Sequence, residues 1–372
     1  MHRLLGALTV IVVAAVIGQS AVALPRFSSR TGAKCQSCHV NPTGGAMRQA
    51  FGAQYGRETL PVPDWSAGLQ LEDLSSLVAN VVGFGADVRT LYFSRQGTGE
   101  RGSADSAGRN GFFQMQGDLY LSIRLAKKVS VFLKKGLYSG FEAYGLLHVL
   151  PANGYLKLGK FLPAYGTRTD DHTSYIRTVT GFSPEQGRPE LTGGEAAISP
   201  GPFTILGGFY NADDGFGSAV GNDKAFLGRA EGLFALSEEV HLGLGGNVFV
   251  TTLPGGTRRT LYGGLGSLSI GEMTLLGEVD AVRSRNGGVT TTGLVTFAEA
   301  SYVVTPGVDL KLGYDFFDPD VDRKTGAQSR FSAGVEFFPL PGVELRPVYR
   351  FVREEPTDRK NNELQVIIHF YL

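Results

Sequence analysis

From about Asn80 to its C-terminus the chain repeats one pattern, some ten residues of alternating apolar and polar side chains and then a turn. Alternation at period two describes a strand with one apolar and one polar face. Over 113–125, Phe113, Met115, Gly117, Leu119, Leu121, Ile123 and Leu125 form one face, and Gln114, Gln116, Asp118, Tyr120, Ser122 and Arg124 the other. The same alternation sets Val308, Leu310, Leu312, Tyr314 and Phe316 against Asp309, Lys311, Gly313, Asp315 and Phe317. It also places Leu242, Leu244, Val248 and Val250 on one side of a strand. The chain stops on such a strand, Leu364, Val366, Ile368, Phe370 and Leu372 alternating with Glu363, Gln365, Ile367, His369 and Tyr371.

The links between strands alternate in length. Short ones fall near 127–128, 151–153, 200–202, 237–239, 271–272, 305–307 and 339–342. Between them lie longer, more polar ones at 163–189, 211–223, 253–258, 284–290, 318–328 and 354–361, with another at 97–110; the link at 139–140 is tight. Short turns at one rim and long loops at the other are the signature of an outer-membrane barrel. The pattern predicts an all-β, antiparallel transmembrane barrel of about sixteen strands, or fourteen if 129–150 divides differently. Pro347 and the poorly alternating 224–236 strain the pattern. The competing architecture is a soluble β-sandwich, which buries its apolar face against a second sheet; no propeller repeat is visible.

Composition agrees. Glycine, at 52 of 372 residues, disfavours helix, and the 10% aromatic content disfavours disorder. Lys plus Arg equals Asp plus Glu at 35 each, so no strong field favours nucleic acid. Charges recur on the polar faces, among them Arg89, Arg124, Lys157, Arg229, Glu231, Asp280, Arg283, Lys311, Glu344, Arg346 and Arg350. In a barrel these would face inward, solvating the lumen or lining an ion path.

Residues 1–23 read as a secretory leader: His2 and Arg3, an apolar run from Leu4 to Ile17, and Ala21-Val22-Ala23 as the cleavage pattern. Residues 24–79 then form a small unit, and 80–372 the barrel. The two cysteines of the chain sit in that unit, in Cys35-Gln36-Ser37-Cys38-His39. This is the attachment pattern of a c-type haem. Two thiols add across the two vinyl groups, and the adjacent imidazole can bind the iron. A redox disulfide, half a zinc site and a plain disulfide are the alternatives; no thioredoxin-like βαβ context or second Cys/His pair accompanies the motif.

Met47 is a candidate sixth ligand, or else a core methionine. His148 and His172 could also fold back toward the iron, and Phe27, Phe51, Tyr55 and Trp65 could cover the ring. So small a unit would need the haem, or the rest of the protein, as its core. Asp170-Asp171-His172 and Asp318, Asp320 and Asp322 are candidate metal ligands or solvated loop acids. No Ser-His-Asp, Walker or other hydrolytic or transferase constellation is present in the sequence.

The haem motif behind a leader and ahead of a barrel resembles the fused monohaem cytochrome–porins of the bacterial outer membrane. The likeness is closest from Ala23 to His39, at Pro25, Phe27, Thr31-Gly32 and Cys35-Gln36-Ser37-Cys38-His39, and extends to Pro42 and Phe51-Gly52. The best-known members oxidise ferrous iron outside the cell. The resemblance implies one covalent haem c held by Cys35, Cys38 and His39, with the unit on the periplasmic side or inside the lumen. It also implies ferrous iron or another extracellular donor or acceptor, a periplasmic c-type cytochrome or other carrier as partner, and any catalysis limited to iron(II) oxidation by electron transfer. The alternative is a passive porin whose Cys-x-x-Cys-His unit is structural or a plug; a sheath for a separate multihaem cytochrome is a third reading.

Overall fold

The computed structural model describes residues 26–66, 77–78, 81–97, 108–137, 140–183, 190–212, 223–253, 255–323, 325–359 and 361–372. The leader reading of 1–23 lies outside the described residues. Among the described residues, sixteen strands of eight residues or more follow one another: β1 (Val82–Arg95), β2 (Arg109–Ala126), β3 (Val129–Gly136), β4 (Phe141–Leu150), β5 (Gly154–Phe161), β6 (Leu191–Ile198), β7 (Phe203–Asn211) and β8 (Lys224–Ala235), then β9 (Val240–Leu253), β10 (Thr257–Ile270), β11 (Met273–Asn286), β12 (Val289–Thr305), β13 (Val308–Asp318), β14 (Gln328–Leu340), β15 (Val343–Glu354) and β16 (Glu363–Tyr371). Each pairs antiparallel with the next, and β16 pairs back onto β1, from Glu363 opposite Arg95 to Tyr371 opposite Asp87. The sheet is therefore a closed barrel without free edges. A two-residue strand, Leu77–Val78, adds to the beginning of β1.

The period-two pattern sorts side chains between lipid and lumen. Lys157 on β5 is fully buried, while its neighbour Leu158 is 58% exposed. Phe84, Leu119, Phe209, Phe226, Leu244, Leu312 and Phe370 likewise point outward and are exposed. Asp309, Lys311, Glu344, Arg346 and His369 are buried inside. An apolar outside and a polar inside is the inverse of a soluble sandwich and suits a bilayer. The short turns gather at one mouth, where both β1 begins and β16 ends.

Several details differ from the sequence reading. The outer links at 253–258 and 284–290 are shorter, because β9 to β12 run on past them; Gly287 and Gly288, at φ 54° and 92°, make a two-residue hairpin turn. β2 carries a bulge where Arg89 faces Gln116 but Thr90 faces Gln114. The extra residue, Met115, turns inward onto Leu91 and Ile367 instead of outward with Leu119. Arg283 sits on the outward parity of β11, opposite to the buried Glu278 and Asp280, and Arg124 is exposed at the short-turn mouth. Pro347 falls where the β14–β15 ladder is interrupted between Gly334–Val348 and Phe337–Leu345, as suits a residue without an N–H, and on its other side it stays in register with Val366 of β16.

The lumen is filled. Residues 162–183, between β5 and β6, fold inward and carry a helix over Tyr175–Thr180. On the other side, from the short-turn mouth, enters the N-terminal unit, with helices at Arg26–Thr31, Cys35–Cys38, Ala50–Gln54 (continuing as a π-helical turn over Tyr55–Thr59) and Pro63–Ser66. These five helices are α1 to α4 in the unit and α5 in the inserted segment. Around them an aromatic stripe runs along the wall from β2 to β7, Tyr120, Phe132, Tyr144, Phe161 and Tyr210 in successive ring contacts at 6.1, 5.0, 5.6 and 5.8 Å, beside the buried ion pairs of Lys134 with Glu142 and Lys157 with Glu195. The filled lumen explains the weak alternation of β8: its inward Leu227 and Leu233 meet protein instead of water.

Candidate functional site

The Cys-x-x-Cys-His segment lies inside the barrel. α2 ends at His39, whose backbone forms an antiparallel bridge with Arg48. That bridge, with the Val40 N–H donating to the Met47 carbonyl at 3.0 Å, closes the loop Asn41–Ala46. Two glycines let the loop and α3 press against the cysteines. A Cβ on Gly44, which has φ 85°, would meet Cys35 Sγ at 2.7 Å, and one on Gly52 would meet the Cys38 carbonyl oxygen at 2.2 Å.

The unit has no core of its own and is anchored to the wall. Ser29 Oγ donates to Ser267 Oγ at 2.9 Å. Arg26 pairs with Glu336 and, at 3.7 Å, with Asp309. Lys34 Nζ donates to the carbonyls of Ser199 and Gly201, each at 3.3 Å. The Arg48 guanidinium lies 4.4 Å over the Tyr371 ring and 3.6 Å from Asp87. Near the rim the Val62 N–H donates to the Phe338 carbonyl.

The inserted segment meets the unit from the opposite side. Arg168 donates one guanidinium N–H to the Gly44 carbonyl and another to the Leu162 carbonyl, both at 3.1 Å. Asp170 pairs with Arg346 at 2.7 Å and Lys311 at 3.6 Å, and Asp171 with Arg350 at 2.6 Å. His172 Nε2 lies 2.8 Å from Arg89 Nη1. Burial works against ionisation of Asp170, yet Arg346 and Lys311 outweigh it and hold the carboxyl well below the ordinary range. At Asp171 burial is likewise overcome, by Arg350 and Arg330. These acids are thus latched to arginines. Asp170, Glu336 and Glu344 come within 4.8 Å of one another, but Arg346, Lys311 and Arg26 share the cluster and balance its charge. Asp318 and Asp320 accept backbone N–H groups two residues on, as turn-forming residues do.

Between unit, wall and inserted segment lies a cavity of about 260 Å³. Cys38, His39, Phe27 and Tyr55 line it, together with His172 and His369 from the barrel side. Cys35 instead faces a cleft of about 30 Å³, and the Arg168 side chain borders both spaces. Phe51 and Trp65, read as ring covers, stand 49% and 57% exposed. Trp65 packs edge-on against Phe337, 5.4 Å away. Met47 is fully buried among Tyr120, Phe132 and Leu146 on the wall and borders a second groove, not the cavity of His39. His148 borders that same groove.

The residue types fit a covalently attached haem, with Cys38 and His39 on the cavity and Cys35 on the adjoining cleft. Cys35 and Cys38 are free thiols three apart on one helical turn. Burial, aided by Arg48, lowers the His39 imidazole to about 4, which keeps it in the neutral, metal-binding form. Its Nδ1 is buried without a partner. Burial pushes the Cys35 thiol up to about 12, so it is unreactive where it stands. Sequence reasoning missed Arg48, Arg168 and Asp87, because nothing local marks a residue that reaches the motif from across the barrel. His369 was legible only as an inward position of β16; there it bridges Asp87 and Glu344 at 2.9 Å each.

No protein-family model matches the chain, and no curated protein matches it in sequence. Solved structures do share the fold. An anion-selective porin from Comamonas acidovorans superposes with a TM-score of 0.58 at 15% identity, over 78% of this chain and 99% of the porin. OmpT, an outer-membrane protein of Vibrio cholerae, gives 0.56 at 12% identity, over 80% of this chain and 99% of its own. At such identities the likeness establishes the architecture alone: this chain has the porin-type β-barrel fold.

Proposed function

We propose that the protein is an outer-membrane electron conduit, in which one c-type haem held by the N-terminal unit passes electrons between an extracellular donor, ferrous iron, and a periplasmic carrier such as a c-type cytochrome. The observation that carries this reading is that Cys38 and His39 open onto a cavity within the lumen, between the short-turn mouth and the inserted segment. Cys35 and Cys38 would hold the group through thioether bonds and His39 would ligate its iron; when bound it supplies a one-electron couple. The rest is done by this chain's own residues. Burial keeps His39 neutral. The anchors at Ser29, Arg26 and Lys34 fix the unit in the lumen. Arg168 and the latched Asp170 and Asp171 cover the cavity from the outer side and restrict water.

The test is a visible spectrum of the detergent-solubilised protein before and after ferrous iron, with dithionite as reference. Reduction by iron is expected in the wild type. His39→Ala should assemble into the membrane and lose extracellular iron oxidation; wild-type rates in that variant would sink the proposal. Absence of any haem spectrum would leave a porin with a plugged lumen.

A further inference from the structure

A second groove, of about 240 Å³, opens at the short-turn mouth between the N-terminal unit and strands β2 to β4. We infer that it is the docking site for the acidic surface of a soluble periplasmic electron-carrier protein. The identity of the partner as a carrier rests on the function proposed above; the electrostatics of the groove do not.

Arg124, Lys127 and Lys128 border it, together with the His148 imidazole and with Arg48, whose charge is partly met by Asp87, and no aspartate or glutamate is among the described residues that line it. The charge is local to one side of the mouth. Lys127 and Lys128 form the β2–β3 turn, whereas Glu238, Glu239 and Glu272 occupy the β8–β9 and β10–β11 turns. The remaining short turns carry no charge. An approaching protein with an acidic patch is therefore both attracted and oriented, which raises the association rate.

Position argues for a soluble partner over a lipid headgroup. Arg124 and His148 share the inward parity of the buried Tyr120 and Leu146. The groove thus faces the lumen and not the surrounding bilayer. It is also blind. Met47 packs with Tyr120, Phe132 and Leu146 at its inner end, which opposes a through-path for small ions.

Its floor is the strand that braces the haem motif. Arg48 bridges to His39. The Gln49 N–H donates to the Cys38 carbonyl and its side-chain amide to the His39 carbonyl, both at 2.7 Å. A carrier seated in the groove is separated from His39 by one layer of polypeptide.

The experiment uses the full-length protein in detergent and two readouts. In the first, fluorescein-labelled poly-L-glutamate is titrated onto the wild type, onto Lys127→Glu/Lys128→Glu and onto Glu238→Gln/Glu239→Gln. The charge reversal should weaken binding at least tenfold and the glutamate variant should bind as the wild type does. Cys35→Ala/Cys38→Ala should also bind normally, which separates docking from haem attachment. Equal binding by the reversed variant, displacement by pyrophosphate at matched ionic strength, or displacement by phosphatidylglycerol vesicles would each overturn the inference, the last two by assigning the groove to a small anion or a lipid. In the second, dithionite-reduced protein gives one electron to the Cu(II) centre of an acidic blue-copper protein. The reversal should slow this transfer at least tenfold while leaving oxidation by a neutral quinone unchanged; equal slowing of both, or of neither, would overturn it. A pigment-free wild type that still binds poly-L-glutamate would remove the electron carrier as partner and with it the proposed function, a result distinct from loss of binding.

Discussion

At the scale of single residues, Met47 separates two fates that its sequence position leaves open. Its side chain is fully buried against Tyr120, Phe132 and Leu146, at the point where the basic groove would otherwise meet the interior. Met47→Ala is expected to cost about 2–5 kcal/mol, as large-to-small core changes do, and to raise single-channel conductance in planar bilayers while the visible spectrum stays the same. A changed spectrum with unchanged conductance would instead assign Met47 to the iron. Lys157 offers a second test. It is fully buried, pairs with Glu195 at 2.6 Å and lies 4.0 Å from the Phe161 ring centroid. Lys157→Ala strands a buried carboxylate, so a loss of about 3–5 kcal/mol is expected, visible as a lower unfolding temperature on a heat-modifiability gel. Conversely, a Lys157→Met variant as stable as the wild type would show that packing, and not the ion pair, holds this part of the wall.

Among elements, the strands were the most legible part of the chain and the inserted segment the least. Period-two patterning marks a strand because every second side chain meets lipid, and that constraint holds all round the barrel. It failed where the inner partner is protein, as at Leu227 and Leu233 of β8, or where a bulge resets the parity, as at Met115. In residues 162–183, Asp170-Asp171-His172 advertised metal chemistry, but the arginines that claim these groups stand on β1, β14 and β15, far away in sequence. The latch has a pH signature. Because both carboxyls sit below the ordinary aspartate value of about 3.9, their stabilisation is complete above that value and disappears only as pH falls through the lowered folded values. Conductance of the wild type should therefore stay flat from pH 7 down to about 4. Asp171→Asn should release the segment already at pH 7, seen as larger and noisier current steps; wild-type currents in that variant would dismiss the latch.

For the whole molecule, the unit and the inserted segment together occupy the lumen that a passive porin leaves open. Deleting 26–66 should leave a closed sixteen-stranded barrel, since β16 to β1 pairing does not involve those residues, and should increase conductance severalfold in bilayers. A deletion that conducts no better than the full chain would mean that the inserted segment closes the pore unaided. The Cys-x-x-Cys-His motif itself is visible in the sequence because its residues are adjacent. Its location inside the barrel was not, because the contacts that put it there, such as Ser29 with Ser267 and Arg26 with Glu336, span more than two hundred residues.

The burial of Cys35 has a consequence in time. Its sulfur lies behind Gly44 inside a ring of strands sealed between β16 and β1, beyond the reach of any enzyme once the seam has formed. On the function proposed above, chemistry on that sulfur would belong to the still-open chain, and maturation would have a compulsory order: haem attachment first, closure of the seam second. A cell that delays the first step would accumulate barrels that can never be repaired.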